Sequence, residues 1–420
     1  MSLRPLVLIV APGDDVYRGY CLRQVADAYD VAVITTGPLN WEQPYVVAHE
    51  VVNDFDNVEA LLAAAKNIDA VRPIAGVLTW NESYLTPVAT LAEHLSLAVT
   101  SVESVRTCRD KSASRAALAH HGVPSARSIA AASYTEALAA ANEIGFPVVV
   151  KPAAIGGSIG VIKAETREDM ADAYAFAARG VQVHGGDRHA VLIEEYLQGE
   201  EVSVECVTSD GITTAVAVTR KELGAEPLFE EIGHTLTAGD TLLHTVAPVA
   251  AAAVKATRTR NGIQHVELRL TPTGPRVIEV NARIGGDWIG WAVWRATGLS
   301  LPQIAADIAV GKTPDLTATR QQAVAIKVLY APRSGTLAER TIDARFAATW
   351  VDGPSWLMSE GDKVLLPPAG DLDQARVGLF ATHADTLDVA VSRRAEAAAH
   401  ITLAVTLDVQ EAPATATSAL

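Results

Sequence analysis

Val266–Asp287, VELRLTPTGPRVIEVNARIGGD, decides the reading of the chain. Two short runs of alternating apolar residues flank Thr-Pro-Thr-Gly, and period-two alternation around a Gly-containing break predicts a β-hairpin. A three-residue loop, Pro272-Thr273-Gly274, puts the glycine where φ must be positive. Thr271 then pairs with Pro275, and Glu267 falls opposite Glu279. On this register Glu267, Arg269, Glu279 and Asn281 share one face, while Val266, Leu268, Leu270, Ile278 and Val280 share the other. A one-residue slip would mix the two sets, so the pattern specifies the register.

Two carboxylates and a carboxamide oxygen without His or Cys are hard ligands. They suit Mg²⁺ or Mn²⁺ held together with substrate phosphates better than zinc. Glu267, Glu279 and Asn281 are therefore the candidate metal ligands. Arg283 follows, just ahead of Gly285-Gly286, where a guanidinium could stabilise charge on a transferred phosphoryl group. A solvated hairpin face with a cross-strand Glu/Arg pair is the other reading of the same residues.

The chain has 420 residues, 49% hydrophobic and 20% charged, so a folded multidomain protein is expected. A net charge of −15 argues against a nucleic-acid-binding surface, which needs Lys and Arg patches, though not against a nucleotide in a local pocket. Cys21, Cys108 and Cys206 are scattered, with neither a disulfide framework nor zinc spacing, and suggest a reducing cytoplasm. No apolar run approaches the roughly 20 residues that span a bilayer, so no membrane partner is expected.

Upstream of the hairpin, Leu6–Val10 reads as a buried parallel strand followed by a helix from about Tyr17 to Ala28. Strands at Val31–Ile34 and Ile74–Leu78 continue an open α/β sheet to about residue 105. Ligands of such sheets bind beyond the strand carboxyl ends, where Glu82 sits; Asn81 or Glu82 capping the next helix is the alternative. Arg109-Asp110-Lys111 opens a helix that stops at Gly122-Val123-Pro124. An apolar strand, Val148–Val150, delivers Lys151 ahead of Gly156-Gly157-Ser158-Ile159-Gly160, a turn able to bring backbone N–H groups near phosphates. Its spacing is neither a Walker A loop nor a dinucleotide fingerprint, and a flexible hairpin is the simpler reading of the glycines alone. A loop at Val181–Arg188 precedes a strand that ends in Glu194-Glu195-Tyr196-Leu197, and Glu201 follows. Pro227–Gly239 reads as irregular and carries Glu231 and His234. Trp288–Gly298 reads as a helix in which Trp288 could wall a pocket while Trp291 and Trp294 pack in the core. After about Ala323 a separate α+β unit is expected, and residues 411–420 read as a disordered tail.

In order and spacing, Arg109-Asp110-Lys111, VVVKP with its Gly-rich turn, EEYLxGEEVSVE and VELRL…IEVNAR resemble the ATP-grasp superfamily, from about residue 70 to residue 400. Glu-Ile-Gly-His at 231–234 and Asn-Ala-Arg-Ile-Gly-Gly-Asp at 281–287 are most similar to L-amino acid ligases. Carboxylases like biotin carboxylase are the nearest competitors. The resemblance implies a multidomain α/β and α+β fold: an N-terminal α/β domain (1–108), a lid (109–195), a catalytic subdomain (196–320) and a C-terminal unit (321–410). It implies ATP and Mg²⁺ as cofactors, small carboxylate and amine substrates, and a homodimer. Lys111 and Lys151 would contact phosphates, Gly156–Gly160 would form the lid loop with Ser158 near the phosphate, Glu194–Leu197 would line an adenine slot, and Glu201 would hold the ribose. Glu267, Glu279 and Asn281 would bind Mg²⁺, and Arg283 would stabilise the transition state. Glu231 and His234 would face the amino-acid substrate, either being a candidate base, with Glu82, Gly285, Gly286, Asp287 and Trp288 shaping the pocket. The implied activity is ATP-dependent amide or peptide bond formation through an acyl phosphate, with a role in antibiotic biosynthesis left open.

Overall fold

The computed structural model describes residues 4–97, 100–184, 191–367, 369–371 and 373–407. The tail expected at 411–420 lies outside them, as do residues 185–188 of the expected loop, whose first residues finish the helix Met170–His184. No described helix is long and apolar enough to cross a membrane.

Strand β1 (Leu6–Val10) is buried along its whole length, as a continuous apolar run demands in a parallel sheet covered on both faces. β2 (Asp30–Thr35), β3 (Ala48–Val51) and β4 (Ile74–Leu78) join it in a parallel sheet ordered β3-β2-β1-β4. At the β1 exit Asp14 caps the helix Asp15–Ala28, its carboxylate accepting the Tyr17 N–H at 2.7 Å. At the β4 exit Asn81 caps the short turn Glu82–Tyr84, which leaves the Glu82 carboxylate for other partners.

A second, antiparallel sheet is built from β5 (Ser128–Ala131), β6 (Val148–Pro152), β7 (Ile162–Ala164) and β8 (Val191–Glu195), ordered β5-β8-β6-β7. Ala137, Ala141, Met170 and Ala177 of two helices close its core with Val148, Val150 and Ile193. The Gly-rich segment joins β6 to β7.

The largest sheet draws on β9 (Glu200–Ser209), β10 (Ile212–Leu223), β11 (Glu231–Thr237), β12 (Gly262–Thr271), β13 (Gly274–Asn281) and β14 (Ala323–Tyr330). Beyond β15 (Gly335–Ile342) come β16 (Val351–Trp356), β17 (Lys363–Val364), β18 (Arg376–Ala384) and β19 (Ile401–Thr406). The sheet order is β13-β12-β9-β10-β11-β14-β18-β16, with β17-β15-β19 forming a small separate sheet. The C-terminal strands thus continue the sheet that carries the hairpin, rather than folding wholly apart.

Residues 231–237, expected to be irregular, are strand β11, held between β10 and β14 by antiparallel pairing on both edges. Gly233 and a polar residue at 234 break the apolar alternation that marks a strand, so the two ladders, not the side-chain pattern, specify it. The tryptophan helix runs Ile289–Thr297; Trp288 precedes it in a left-handed conformation (φ 61°).

The hairpin pairs Glu267 with Glu279 as expected, but by a different route. Thr271 pairs with Gly274 (φ +113°), so the loop is the two residues Pro272-Thr273. A bulge at Ile278 then restores the register, with Leu268 opposite Val277. Consequently Val277 takes the core position assigned to Ile278, packing with Val266, Leu268 and Val280 against Val246, Ala250 and Val254 of the helix Leu243–Ala256. Each of these valine and leucine side chains contributes roughly 1.5–3 kcal/mol on burial. The bulge is clamped from outside the hairpin: Arg115 donates to the Val277 and Ile278 carbonyls (3.1 and 2.6 Å), and the Val277 N–H reaches Pro124 O (2.8 Å).

Candidate functional site

Strands β9, β12 and β13 present one polar face. Rung by rung, Glu201 opposes Arg269, Ser203 opposes Glu267 and Glu205 opposes His265, while Glu279 and Asn281 oppose Glu267 and His265 from the other side. Alternation along each strand keeps these side chains on one face.

Above this face lies a cavity lined by Lys111, Lys151, Gly156, Gly157, Ser158, Glu194, Glu195, Tyr196, Leu197 and Glu201, together with Glu231, Glu267 and Glu279. Nearly all the expected nucleotide-binding residues are therefore gathered in one place. Gly160 is the exception: it packs against Pro152. Ile278, thrown outward by the bulge, and Phe229 add apolar wall. Lys111 Nζ lies 2.9 Å from Glu279 and donates to Ile155 O at 2.8 Å. Lys151 Nζ contacts Glu194 at 2.5 Å, and Arg115 grips the same carboxylate through two N–H groups at 2.8 and 2.9 Å. Burial alone would raise the Glu194 pKa, but Arg115 and Lys151 more than reverse it, to about 2. Burial drives Lys151 the other way, below the ordinary lysine range, with Arg115 and Lys111 adding to the effect. Lys221, 1% exposed at its side chain, stands among Glu231 (3.0 Å), Glu267 (3.2 Å) and Glu201 (3.4 Å); Arg269 also pairs with Glu201, at 3.0 Å.

A second, wider cleft of ≈ 510 Å³ shares Gly157, Glu231 and Glu267 with the first cavity. Its other walls include Tyr17, Arg18, Glu82, Lys221, His265, Arg283, Gly286, Asp287 and Arg376. The Arg283 guanidinium pairs with Glu82. Asp287 accepts from the Tyr17 hydroxyl, from Arg376 at 2.9 Å and from His234 Nε2 at 3.2 Å. Burial opposes its charge, yet Arg376 and His234 hold Asp287 well below the usual carboxylate range. His234, expected in a loop, is fully buried on β11 and lines neither cavity; it sits behind Glu231 (3.5 Å) and Asp287. Trp288 belongs to the core, not to the cleft wall: it is 8% exposed and its indole N–H bonds Val16 O at 3.0 Å. Gly285 is likewise structural. A Cβ there would meet His265 Nδ1 at 2.8 Å, so Gly285→Ala is expected to destabilise the protein by about 1–3 kcal/mol in urea unfolding.

The facing carboxylates Glu267 and Glu279, with Asn281 next along β13, form an all-oxygen donor set suited to a hard divalent ion. Ser203 Oγ, opposite Glu267, is buried without a hydrogen-bond partner among the described residues, which adds an unclaimed polar atom to the same face. These residues fit Mg²⁺ or Mn²⁺. Glu231, His234 and Asp287 also converge, with ligand atoms within 4.8 Å of one another; Glu231 is paired with Lys221 and Asp287 with Arg376, as Glu267 is with Lys221 and Glu279 with Lys111.

Several site residues escaped the sequence reading. Arg115 lies one turn beyond Lys111 on the same helix, and Glu205 and His265 continue the alternation of Glu201 and Glu267; those spacings were readable. Lys221, Tyr17, Arg18 and Arg376 had no local signal.

Residues 144–291 match a family model described as an ATP-grasp domain. The chain is 28% identical over 286 residues to the protein y4rH of Sinorhizobium fredii, covering 68% of this chain and 59% of that one. It is 21% identical over 367 residues to the L-arginine-specific L-amino acid ligase of Bacillus subtilis, covering 84% and 87% respectively. Among solved structures, the L-amino acid ligase from Bacillus licheniformis superposes with a TM-score of 0.78 at 19% identity, over 97% of this chain and all of that one.

Proposed function

We propose that this chain, which has an ATP-grasp domain and the ATP-grasp fold, is an ATP-dependent ligase that joins the carboxylate of one amino acid to the amine of another small substrate. One observation carries the reading: the Lys- and Gly-lined cavity and the polar cleft meet at Gly157, Glu231 and Glu267. A nucleotide in the first would thereby direct its terminal phosphate at a carboxylate in the second. The chain's similarity to an L-amino acid ligase over most of both lengths supports the same assignment.

In this mechanism Lys111 and Lys151 neutralise phosphate oxygens, the backbone of Gly156–Ser158 covers them, Glu194–Leu197 flank the base and Glu201 receives the ribose hydroxyls. Glu267, Glu279 and Asn281 would hold Mg²⁺, which would supply charge stabilisation to the transferring phosphoryl group. The substrate carboxylate oxygen attacks the γ-phosphorus and ADP leaves. The neutral amine then attacks the acyl carbon and phosphate departs. Arg283 stabilises the negative charge of both steps, and closure of the Gly-rich loop keeps water from the acyl phosphate. Glu231, which lines both cavities, accepts the ammonium proton; His234 backs it at 3.5 Å and is itself held by Asp287 at 3.2 Å.

The test is phosphate release with ATP and Mg²⁺ against single amino acids and mixed pairs, with mass spectrometry of the products. A product equal in mass to the pair minus water, together with ADP, is the expected result. AMP as the nucleotide product would overturn the acyl-phosphate route. Turnover stimulated by bicarbonate with no amine required would instead favour a carboxylase acting through carboxyphosphate.

A further inference from the structure

Behind Glu267 lies a buried chain of polar groups that the mechanism above leaves unused. His265 is 3% exposed, and its Nδ1 contacts the carboxylate of Glu205, which is completely buried. The opposite ring nitrogen, Nε2, lies 3.2 Å from Glu267 Oε1. Glu205 also accepts the Gly285 N–H, at 3.4 Å, and the imidazole occupies the space a Cβ on Gly285 would fill. One Glu–His pair therefore touches both the Glu267 carboxylate and the loop that carries Arg283 and Asp287.

From this geometry we infer that Glu205 and His265 are positioning residues: Glu205 fixes the ring as an imidazolium, whose two nitrogens both carry hydrogen, so that Nε2 holds Glu267 in the orientation needed to bind the divalent cation. The same Glu267 oxygen lies 3.2 Å from Lys221 Nζ, but an ammonium on a flexible stem leaves the carboxylate able to rotate about its last torsion, whereas a ring nitrogen fixed in place leaves the other oxygen presented in a single direction. Outer-shell partners of this kind orient metal ligands elsewhere, and their loss costs about 10–100-fold in metal affinity. A buried, unpaired Glu205 would be costly, so the strand alternation that places Glu201 toward the ribose is extended inward to a residue whose partner is the imidazole. The inference rests on the reading of Glu267 as a metal ligand.

Two amides separate the two ends of the ring. Asn at 265 places its N–H₂ near the Nδ1 position and loses the reach to Glu267, while Gln places it near the Nε2 position and keeps that reach. Mn²⁺ binding in the presence of a non-hydrolysable ATP analogue, followed by electron paramagnetic resonance, is the readout. The expected result for His265→Asn is a dissociation constant raised about 10–100-fold, with His265→Gln closer to the wild type. A role in packing alone would move both variants together, and equal effects in the two would overturn the inference. Should His265→Asn fail to fold, Glu205→Leu takes its place; it fills the site but offers Nδ1 no acceptor, and unchanged Mn²⁺ affinity in it would overturn the inference as well. Glu267→Gln distinguishes the two levels. Loss of Mn²⁺ binding there with none in His265→Asn overturns the positioning role alone; unaltered binding in Glu267→Gln removes the metal assignment and the inference with it.

Discussion

Glu279→Gln is expected to lower ATP-dependent phosphate release at least about a hundredfold while leaving the protein folded. Metal-assisted charge stabilisation is worth several kcal/mol, and about 1.4 kcal/mol is a factor of ten in rate. The substitution keeps the shape of the side chain and an oxygen able to accept from Lys111, whose ammonium also retains the Ile155 carbonyl. What it removes is one negative charge facing Glu267 across the hairpin. Steady-state phosphate release across a magnesium titration, with circular dichroism as the check on folding, is the measurement. Turnover within about threefold of the wild type at saturating magnesium would sink the assignment of Glu279 to the metal, because a ligand's contribution is measured in kcal/mol.

Glu194→Gln is expected to act through stability first. The wild-type carboxylate sits 3% exposed between Arg115 and Lys151, and removing its charge leaves two buried cations facing each other. Breaking a buried pair in this way costs about 3–5 kcal/mol. The urea midpoint should fall with the slope unchanged, and the KM for ATP should rise, because Lys151 loses the carboxylate that holds its ammonium in place at 2.5 Å. The pH dependence has a definite sign. The folded pKa of Glu194, about 2, lies below the ordinary 4.5, so its contribution is fully present above about pH 4.5 and is lost as pH falls toward 2. Wild-type stability should therefore drop across that interval, and the variant should lack that component of the drop. An unchanged urea midpoint in Glu194→Gln would mean that the three groups contribute no net stability.

The two predictions differ in how much of their basis is local. Glu279 is legible from its own strand: alternation with Val280 sets it on the polar face, opposite Glu267. The expected turn was one residue too long, yet the expected pairing of Glu267 with Glu279 held, because a bulge at Ile278 compensates for the shorter loop. No pattern within the hairpin could reveal that bulge. It is held by Arg115 and by Pro124, more than 150 positions away in the chain, and its consequence is that Val277 rather than Ile278 enters the core.

Glu194 shows the converse. Its place at the exit of an apolar strand was readable, but its partners come from a helix and a strand that only the folded chain brings together. The same holds for the cleft. Asp287 was legible as the end of Asn-Ala-Arg-Ile-Gly-Gly-Asp, whereas Tyr17 from the helix Asp15–Ala28 and Arg376 from β18, which clamp it, were not. His234 was found by its motif and misplaced, because being a strand residue depends on ladders to β10 and β14 that lie far away in sequence.

By itself, then, the sequence determined what short-range periodicity and turn chemistry can encode: the parallel strand at the N-terminus, the Gly-rich turn after Lys151, the hairpin and the polar face that carries Glu267 and Glu279. The tertiary structure alone decided which charges meet. Ion pairs such as Lys221 with its three carboxylates, or Arg376 with Asp287, join residues by proximity in space, and side-chain proximity across a sheet or between domains leaves no period in the chain to be read.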